Sequence, residues 1–248
     1  MDYKQKFFKQ LNSTNVYAKQ NLAELEDRTV IFAEQQTDGH GRFDRVWISD
    51  KVGNLYASIV LKPKNFSADL PLANLTQYLS VVLSELLEEY GVVADIKWPN
   101  DVLVGGKKIS GILAETSFCG NGFNGFVLGI GVNLNLSKED VSLINQPATA
   151  LNLELNKKID LKEFSDKLFN NFFAEYDLFM QKGFEFIKRR YLSRCSFIGK
   201  DVSVVNMDEK KYGIARQIND DGSLLIDLPK ENRHEIVRIG DLTCLKMN

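Results

Sequence analysis

The chain has 248 residues, 44% of them hydrophobic and 26% charged, which is a composition typical of globular proteins. Its formal net charge is −2, so no overall positive field draws it to nucleic acid, and an anionic ligand must be held by local groups. Three scattered cysteines, Cys119, Cys195 and Cys244, argue against a disulfide framework and a zinc site. Because the chain has no secretory leader and no run of about 18 apolar residues, we expect a cytoplasmic protein with reduced thiols and no membrane contact.

The first third of the chain predicts strands joined by one short helix. Cap-forming residues at 13–15 precede the helix candidate "VYAKQNLAELE", and "RTVIFAEQ" follows as a strand. The polar segment "QTDGHGRFDRVWISDKVGN" comes next. A loop of that length in a compact domain is typical of a lid or binding loop, or else of disorder. The segment "NLYASIVLKP" has apolar residues at period two and predicts another strand.

Three longer helices are predicted further along. Apolar residues at steps of three and four indicate an amphipathic helix from Leu70 to Tyr90, ended by Gly91. Asp160, followed by a glutamate three residues later, forms a capping signal for a long helix through Phe179. A further helix is expected near 184–193.

The remaining segments predict strands. "VVADIKW", "DVLV" and "KKISGILAE" are strand candidates, and Gly105-Gly106 indicates a two-residue hairpin between the last two. "FVLGIGVNLN" follows the loose segment "CGNGFNG" and predicts a glycine-containing strand. Beyond Cys195 the pattern consists of short strands between polar turns, which indicates a small β-barrel. We therefore predict an α+β domain over residues 1–194 and a β-barrel domain over residues 195–248.

The loop "GHGRFDRVW", at residues 39–47, is the first candidate ligand-binding segment. Gly39 and Gly41 flank His40 and allow the backbone to approach a ligand closely. Arg42 and Arg45 add planar, permanently charged donors suited to phosphate or carboxylate. The spacing matches neither a Walker A loop nor a dinucleotide fingerprint, so a solvated surface loop is the alternative.

The segment "KWPND" is the second candidate. Lys97 lies in a strand-like run, where a buried cation would be costly unless it served a ligand. The alternative is that Ile96 points inward and Lys97 points to solvent. Trp98, Asn100 and Asp101 supply an aromatic ring, an amide and a carboxylate at one turn.

Glycines mark the third candidate, a smooth face on neighbouring strands. Gly111 removes a side chain where a strand should carry one, which indicates either room for a ligand or a β-bulge. Gly129 and Gly131 lack side chains on the same face of "LGIGVNLN". Lys107 and Lys108 are expected to lie on the outside of the hairpin. Together with an intrastrand lysine, these strands would form a groove floor for a ligand with an anionic group.

Four motifs in this order resemble the biotin protein ligases. They are "STN" at 13–15, the Gly-x-Gly-Arg loop before Arg-x-Trp, "KWPNDVLVGGKKISGILAE" and "LGIGVNLN". The resemblance covers nearly the whole chain. It implies a class II synthetase-like catalytic domain with helices packed on a mixed or antiparallel sheet, followed by a small Src-homology-3-like barrel. It also implies ATP-dependent ligation of biotin to a lysine of a biotin carboxyl carrier protein of acetyl-CoA carboxylase, through biotinyl-5′-AMP, with Mg²⁺ accompanying ATP.

The resemblance also implies roles for individual residues. Lys97 and Arg42 would be the catalytic residues, because a fixed ammonium offsets the repulsion between the biotin carboxylate and the α-phosphate. Asp101 would lie near the magnesium ion. The implied biotin-binding residues are Ser13, Thr14, Asn15, Gln36, Gly39, His40, Gly41, Arg42, Lys97 and Gly111. The residues implied for ATP and the adenylate are Arg42, Arg45, Trp47, Lys97 and Asn133.

The sequence departs from the family pattern in the ligand loop. His40 stands where the family has a permanently charged arginine, so a phosphate contact and a water-facing imidazole remain open alternatives. Asp44 occupies a position where glycine is common. Because "STN" begins at residue 13, we expect no DNA-binding domain before it and no DNA partner. A homodimer through the open sheet is possible.

Two rival functions remain from different classes. A lipoate ligase or lipoyl/octanoyl transferase has a related fold but is not expected to carry "KWPND" together with the Gly-x-Gly-Arg loop. A non-catalytic biotin sensor would keep the pocket without turnover. Lys97 with Asp101 argues against the sensor, because binding biotin alone requires no clamp on the α-phosphate.

Overall fold

A computed structural model describes residues 3–63, 72–119, 122–206 and 209–245 of the chain. The larger part is a seven-stranded sheet in the order β1-β2-β3-β7-β6-β5-β4. β1 and β2 run parallel and the other neighbours are antiparallel, so the sheet is mixed. Its strands are β1 (Lys4–Leu11), β2 (Thr29–Gln36), β3 (Leu55–Leu61), β4 (Asp95–Lys97), β5 (Asp101–Val104), β6 (Lys107–Cys119) and β7 (Gly122–Val132).

Strand β1 is the element that the sequence pattern did not predict. It lies at the edge of the sheet, and its apolar residues do not alternate with polar ones, since Phe7 and Phe8 are adjacent. Phe7 is 68% exposed and stacks on Phe32 of β2. Its lysines are typical of an edge strand that avoids pairing with other chains. The other strands of the sheet confirm the predicted ones, and β3 buries both of its faces.

Helices cover both faces of the sheet. The helices are α1 (Thr14–Gln20), α2 (Leu72–Glu89), α3 (Lys138–Ser142), α4 (Leu151–Leu155), α5 (Leu161–Lys182) and α6 (Phe184–Leu192). The main core contains α2, α5 and α6 packed against one face, with aromatic side chains of α5 such as Phe172 and Phe179 fully buried. Helix α1 and the turn that follows it cover the opposite face with Ala18 and Leu22. This arrangement confirms the predicted α+β class.

Two predicted helix ends agree with the physical signals that suggested them, whereas the helix predicted over "VYAKQNLAELE" already ends at Gln20. Asp160 caps α5 by accepting a hydrogen bond from the backbone N–H of Glu163 at 2.9 Å. Gly91 follows α2 with a φ of +84°, a conformation that favours glycine. The predicted start of α2 at Leu70 lies outside the described residues. The short helices α3 and α4 were not predicted, because each has only 5 residues, too few for a periodic pattern.

The hairpin between β5 and β6 forms as its two glycines indicated. Gly105 and Gly106 both have positive φ values, +55° and +76°, which a two-residue hairpin turn of this hand requires. The segment "CGNGFNG" is less loose than predicted, since β6 and β7 pair up to Cys119 and Gly122. Its residues 120 and 121 lie outside the described part of the chain.

The C-terminal part is a five-stranded antiparallel sheet in the order β11-β10-β9-β8-β12. Its strands are β8 (Asp201–Asn206), β9 (Glu209–Ile218), β10 (Leu224–Leu228), β11 (Arg233–Val237) and β12 (Asp241–Cys244). This confirms the expected small all-β unit. The predicted boundary near residue 194 falls between α6 and β8 and stays a prediction.

The two sheets are joined through the turn before β10. The indole N–H of Trp98 donates to the carbonyl of Gly222 at 3.0 Å, and Gln77 donates to the same carbonyl at 2.8 Å. Trp98 is only 1% exposed. The predicted aromatic ring of the "KWPND" turn is therefore a buried anchor for the second sheet, and does not form an open face for a ligand.

Among the described residues, no helix is both long enough and apolar enough to cross a bilayer. Cys195 is buried and Cys244 is exposed, and both are free thiols.

The buried aromatic side chains of α5 generate a stability prediction. Phe172→Ala should lower the free energy of unfolding by about 3–5 kcal/mol, because it leaves a cavity beneath Tyr78 and Phe173. Leu178→Ala on the same helix is the control, since Leu178 is 39% exposed and should change stability by only about 0.5 kcal/mol. Urea denaturation followed by circular dichroism measures both. Equal losses in the two variants would contradict the assignment of this helix face to the core.

Candidate active site

The ligand-loop candidate at residues 39–47 is a compact hairpin-like turn. His40 and Val46 form a β-bridge, the N–H of Gly41 donates to the carbonyl of Arg45 at 2.7 Å, and the N–H of Trp47 donates to the carbonyl of Gly39 at 2.8 Å. Gly39 is required sterically, because a Cβ there would lie 2.3 Å from Oγ of Ser49. The turn therefore delivers Trp47 to the sheet in one defined position.

Trp47 lies flat against the glycine-bearing strands. A Cβ at Gly131 would lie 2.4 Å from Nε1 of Trp47, and a Cβ at Gly111 would lie 3.1 Å from Cζ3. The smooth face predicted from these glycines therefore exists, but a side chain of the protein occupies it. The register shift in β6 lies between Lys108 and Ser110, so Gly111 itself is not the bulged residue. The Trp47 indole N–H is buried and, among the described residues, has no hydrogen-bond partner.

Polar side chains from the start of α1 and the end of β2 meet over the same sheet face. The Thr14 backbone N–H and hydroxyl both donate to Oε1 of Gln36, at 2.8 and 3.2 Å. Asn15 lies over Gly129, where a Cβ would be 2.2 Å from its Oδ1. Ser13 caps α1 by accepting from the backbone N–H of Val16. These contacts form a cluster of amides and hydroxyls with a hydrophobic sheet beneath it.

Two neighbouring cavities lie along this face. The small cavity, of about 90 Å³, contains the polar cluster. The large cavity, of about 500 Å³, lies beyond Trp47 and is bounded by residues 143–148. Trp47, Lys108 and Gln146 line both. The predicted site residues that line the small cavity are Ser13, Thr14, Asn15, Gln36, His40, Gly41, Arg42, Arg45, Trp47, Asp101 and Gly111.

Lys108 is the cation at the junction of the two cavities. Its Nζ lies 2.7 Å from Oδ1 of Asp101 and 5.6 Å from the centre of the Trp47 ring, and its side chain is 17% exposed. The expectation that Lys108 decorates the outside of the hairpin is therefore wrong. The physical reason is a β-bulge: Val102 faces Ser110 while Leu103 faces Lys108, so one extra residue interrupts the alternation of β6.

The bulge changes which side chains share a face. Regular alternation would place Lys108 on the face opposite to Gly111. In the structure, Nζ of Lys108 is within 3.3 Å of the position that a Cβ of Gly111 would occupy. Backbone bonds hold this arrangement, since Lys108 donates to the carbonyl of Pro147 and accepts from the N–H of Thr149. The lysine is thus held by the segment 147–149, which is distant from it in sequence.

Lys97 does not line either cavity among the residues that the structure describes. Ile96 is the inward residue of β4, at 1% exposed, as the alternative interpretation required. Lys97 is 25% exposed at its side chain and its Nζ lies 3.4 Å from Oδ2 of Asp101. The lysine that faces the predicted ligand groove is Lys108, eleven residues later.

Asp101 lies between two ammonium groups, with one carboxylate oxygen facing Lys108 and the other facing Lys97. No group of three or more His, Cys, Asp and Glu side chains within the described ranges is arranged to hold a metal ion. A magnesium ion needs oxygen ligands in octahedral geometry and normally retains water and substrate phosphates. The residues therefore do not fit a resident metal site, and the contacts of Asp101 do not support its predicted role as a magnesium ligand.

The ligand loop also contacts the C-terminal sheet. Arg42 donates through Nη1 to Oδ1 of Asn100 at 3.3 Å and to the carbonyl of Gly240 at 3.1 Å, and it lies 3.4 Å from Asp241. Arg45 pairs with the other carboxylate oxygen of Asp241 at 2.5 Å. Burial lowers the pKa of the Arg42 guanidinium from its ordinary value, and the carboxylate of Asp241 opposes that shift. The loop is thus held closed over the small cavity by a residue about 200 positions away.

Four further residues that the sequence analysis singled out lie as follows. His40 lines the small cavity, and its Nδ1 lies 3.3 Å from the carbonyl of Asp38. Asn133 lines the large cavity and donates to the carbonyl of Thr149 at 3.0 Å. Gly39 lines neither cavity among the described residues and serves the turn itself. The side chain of Asp44 lies outside the part of the chain that the structure describes.

Sequence reasoning missed several residues of the site. Lys108 was missed because a bulge cannot be read from alternation, although its position in "GGKKISG" beside the glycine strand was a usable signal. Asp241 gave no signal, since it lies in the other sheet. Gln146 lies in an irregular segment and lines both cavities.

Comparisons with known proteins identify the family of the chain. Residues 7–133 match the model of a family described as the biotin/lipoate A/B protein ligase family. The bifunctional ligase/repressor BirA of Bacillus subtilis is 33% identical over 204 residues, which cover 80% of this chain and 61% of that protein. This chain thus spans less than two thirds of the length of that relative.

Two further matches extend over nearly whole chains. The biotin--[acetyl-CoA-carboxylase] ligase of Paracoccus denitrificans is 32% identical, with 88% of this chain and 92% of that protein covered. A solved structure of the biotin protein ligase from Aquifex aeolicus in complex with biotin and ATP has a TM-score of 0.82 and 29% identity, and covers 98% of this chain and 99% of that one. The chain therefore belongs to the biotin/lipoate A/B protein ligase family, and within it to the biotin protein ligases.

Proposed function

We propose that the protein activates biotin with ATP to form biotinyl-5′-AMP and then transfers biotin to a lysine of a carrier protein. The observation that carries this proposal is the position of Lys108, an ammonium group that lines two adjoining cavities. A reaction between two anionic substrates needs a cation where their reacting groups meet. The Aquifex relative, which was solved with biotin and ATP, supports the choice of substrates.

The small cavity has the chemistry to hold the biotin ring. A ureido group carries two N–H donors and one carbonyl acceptor, and Thr14, Asn15 and Gln36 present hydroxyl and amide groups that can complement both kinds. The hydrophobic strand floor, with Ala57 and Ile130, suits the thioether ring and the aliphatic tail. The carboxylate end of biotin would then lie toward Lys108.

The large cavity has the size expected for a nucleotide. Its volume of about 500 Å³ lies within the usual range of about 300–1,000 Å³ for small-molecule sites. Trp47 and Asn133 line it and offer a ring face and an amide for a base. The small cavity is below that range, because Trp47 lies on Gly131 and Gly111, so we infer that this indole shifts when both substrates bind.

In the first half-reaction, a carboxylate oxygen of biotin attacks the α-phosphorus of ATP. A new bond forms between that oxygen and the α-phosphorus. The bond between the α-phosphorus and the oxygen that bridges to the β-phosphate breaks, and pyrophosphate leaves. Lys108 lowers the repulsion between the two anions, and its effect is largest where negative charge builds in the transition state. A magnesium ion would arrive bound to ATP, as part of the substrate, and would supply further charge neutralisation on the phosphates.

The intermediate is a mixed anhydride, which water would hydrolyse. The turn at residues 39–47 lies over the small cavity and is attached to the C-terminal sheet through Arg42 and Asp241. Such a cover excludes water from the intermediate until the acceptor arrives. In the second half-reaction the neutral amine of the carrier lysine attacks the carbonyl carbon, AMP leaves, and the amine loses a proton.

The carrier and the assembly state are inferred from relatives and from the sheet edge. The Paracoccus relative is named for acetyl-CoA carboxylase, so we infer that a biotin carboxyl carrier protein of that enzyme is the acceptor. Beyond Gly111, the described part of β6 pairs with β7 on one side only. That free edge supports a homodimer in which the seven-stranded sheets of two copies of the chain pair with each other.

The proposed activity is tested by biotin-dependent exchange of labelled pyrophosphate into ATP. We expect exchange with biotin and none with lipoate or octanoate. Exchange with lipoate alone would identify a lipoate ligase. Tight biotin binding without any exchange would identify a non-catalytic sensor, and either result would overturn the proposal.

Three lysines of one motif provide matched variants. Lys108→Ala should reduce the pyrophosphate exchange rate by about 10²–10³-fold, as loss of one transition-state donor does in other enzymes. Lys97→Ala should lose much less, because Lys97 lies outside both cavities. Lys107→Ala is the control, since Lys107 is exposed on the hairpin. A severe defect in Lys97→Ala with near-normal Lys108→Ala would restore the assignment made from the sequence.

The contact between the loop and the C-terminal sheet predicts a defect in retaining the intermediate. Arg42→Gly and Asp241→Asn should still form the adenylate, but should release it at least about 10-fold faster, since a buried charged hydrogen bond is lost. Filter-trapping of labelled adenylate measures the release rate. Asp220→Asn is the control, because Asp220 forms an exposed ion pair on the same domain. Equal loss of formation and retention in Arg42→Gly would contradict a covering role.

A further inference from the structure

A chain of hydrogen bonds extends from the polar cluster into the sheet beneath it. Asn15 Nδ2 donates to Oε2 of Glu115 at 2.8 Å, and the hydroxyl of Ser58 lies 2.5 Å from Oδ1 of Asn15 and 2.7 Å from Oγ1 of Thr14. Lys19 closes the far end with Nζ at 2.6 Å from Oε1 of Glu115. Neither Ser58 nor Glu115 lines the small cavity among the described residues.

The partners determine which way the Asn15 amide faces. A carboxylate accepts hydrogen bonds, so the amide nitrogen of Asn15 must face Glu115. The amide oxygen then faces Ser58, whose hydroxyl can donate to it. If the amide were reversed, its oxygen would face the carboxylate of Glu115, and two acceptors would oppose each other at 2.8 Å. Glu115 is therefore the group that makes one orientation of Asn15 much more stable than the other.

The sheet holds Ser58 and Glu115 on either side of the amide. Ser58 of β3 pairs in register with Gly129 of β7, and Leu113 of β6 pairs with the same glycine from the other side. Asn15 lies over Gly129, so its side chain is flanked by the donor Ser58 on β3 and the acceptor Glu115 on β6. Because Ser58 is completely buried, water does not compete for its hydrogen bond with the Asn15 amide.

The fixed amide leaves defined groups for a ligand. Asn15 keeps one N–H and one lone pair beyond its bonds to Glu115 and Ser58. Oε1 of Gln36 accepts from the backbone N–H of Thr14, which leaves the Nε2 donors of Gln36 for other partners. A buried site with fixed donors and acceptors rejects ligands with the wrong pattern far more strongly than an apolar pocket does.

We propose that Glu115 is a positioning residue that, with Ser58, sets the donor and acceptor pattern presented to the ureido ring by orienting Asn15. This inference rests on the proposed function, because it takes the polar cluster to be the biotin site. Glu115 acts through Asn15 and does not touch the substrate. It is accordingly a determinant of biotin affinity and selectivity, with little influence on ATP binding or on the chemical step.

Glu115 contacts both Asn15 and Lys19, and substitutions can remove one contact without the other. Glu115→Ala removes both the acceptor for Asn15 and the ion pair with Lys19. Glu115→Gln keeps a side-chain oxygen that can accept from Asn15 but removes the charge. Lys19→Met removes the ion pair and leaves the Asn15 contact in place. Glu85→Ala is the control for general loss of stability, because it breaks a half-buried ion pair between Glu85 of α2 and Arg190 of α6.

Isothermal titration with biotin alone measures the effect without catalysis. Glu115→Ala should raise the Kd for biotin by about 10- to 100-fold, with the KM for ATP and kcat near their wild-type values. Glu115→Gln should recover most of the affinity, and Lys19→Met should bind nearly as wild type does. An equal loss in Glu115→Ala and Lys19→Met would mean that the residue only anchors α1, and would overturn the proposal.

Ligand selectivity distinguishes orientation from simple packing. In protonated 2-iminobiotin, the ureido oxygen acceptor becomes an N–H donor. An Asn15 amide that is free to reverse can suit either ligand, so the ratio of the two Kd values should fall by about 10-fold in Glu115→Ala. A packing defect would weaken both ligands alike and leave the ratio unchanged, which would refute the inference. If wild-type protein binds no biotin, the proposed function itself fails; if it binds biotin and Glu115→Ala binds equally well, only this inference fails.

Discussion

The site depends on a steric constraint: three positions at which the central strands carry no side chain. At Gly111, Gly129 and Gly131 the backbone of the sheet is bare, so side chains from other elements can lie directly on it. Asn15 and Trp47 use that space. A single Cβ at Gly129 or Gly131 would lie about 2.2–2.4 Å from these side chains, which is far inside contact distance. The polar cluster and the aromatic wall therefore exist because the sheet floor is flat.

The electrostatics follow from an irregularity in the neighbouring strand. The bulge in β6 places Lys108 on the same face as Gly111, beside Asp101. Asp101 also faces Lys97, so one carboxylate lies between two ammonium groups and provides an ion-pair partner for each of them in a partly buried region. In the proposed reaction, Lys108 would already be held in place when an anionic substrate approached, and little reorganisation would be needed.

The C-terminal sheet is part of this arrangement. The turn at Gly222 accepts hydrogen bonds from Trp98 and Gln77, which fixes the second sheet beside the "KWPND" turn. Asp241 can then reach Arg42 and Arg45 of the ligand loop. The position of the loop therefore depends on where the second sheet packs. In the proposed reaction, this contact would give the second sheet a role in retaining the intermediate as well as in stability.

The sequence by itself determined the α+β class, the long helices, most of the strands and the four family motifs, because these rest on local periodicity, caps and turns. It also located the ligand loop and the glycine strands. It could not determine which lysine faces the groove. The family resemblance pointed to Lys97 and alternation left its direction open, whereas a one-residue bulge, set by pairing with β5, turns Lys108 inward. Asp241 and Glu115 likewise acquire their partners only when distant strands and loops pack together, since hydrogen bonds across about 100–200 residues leave no periodic trace in the chain.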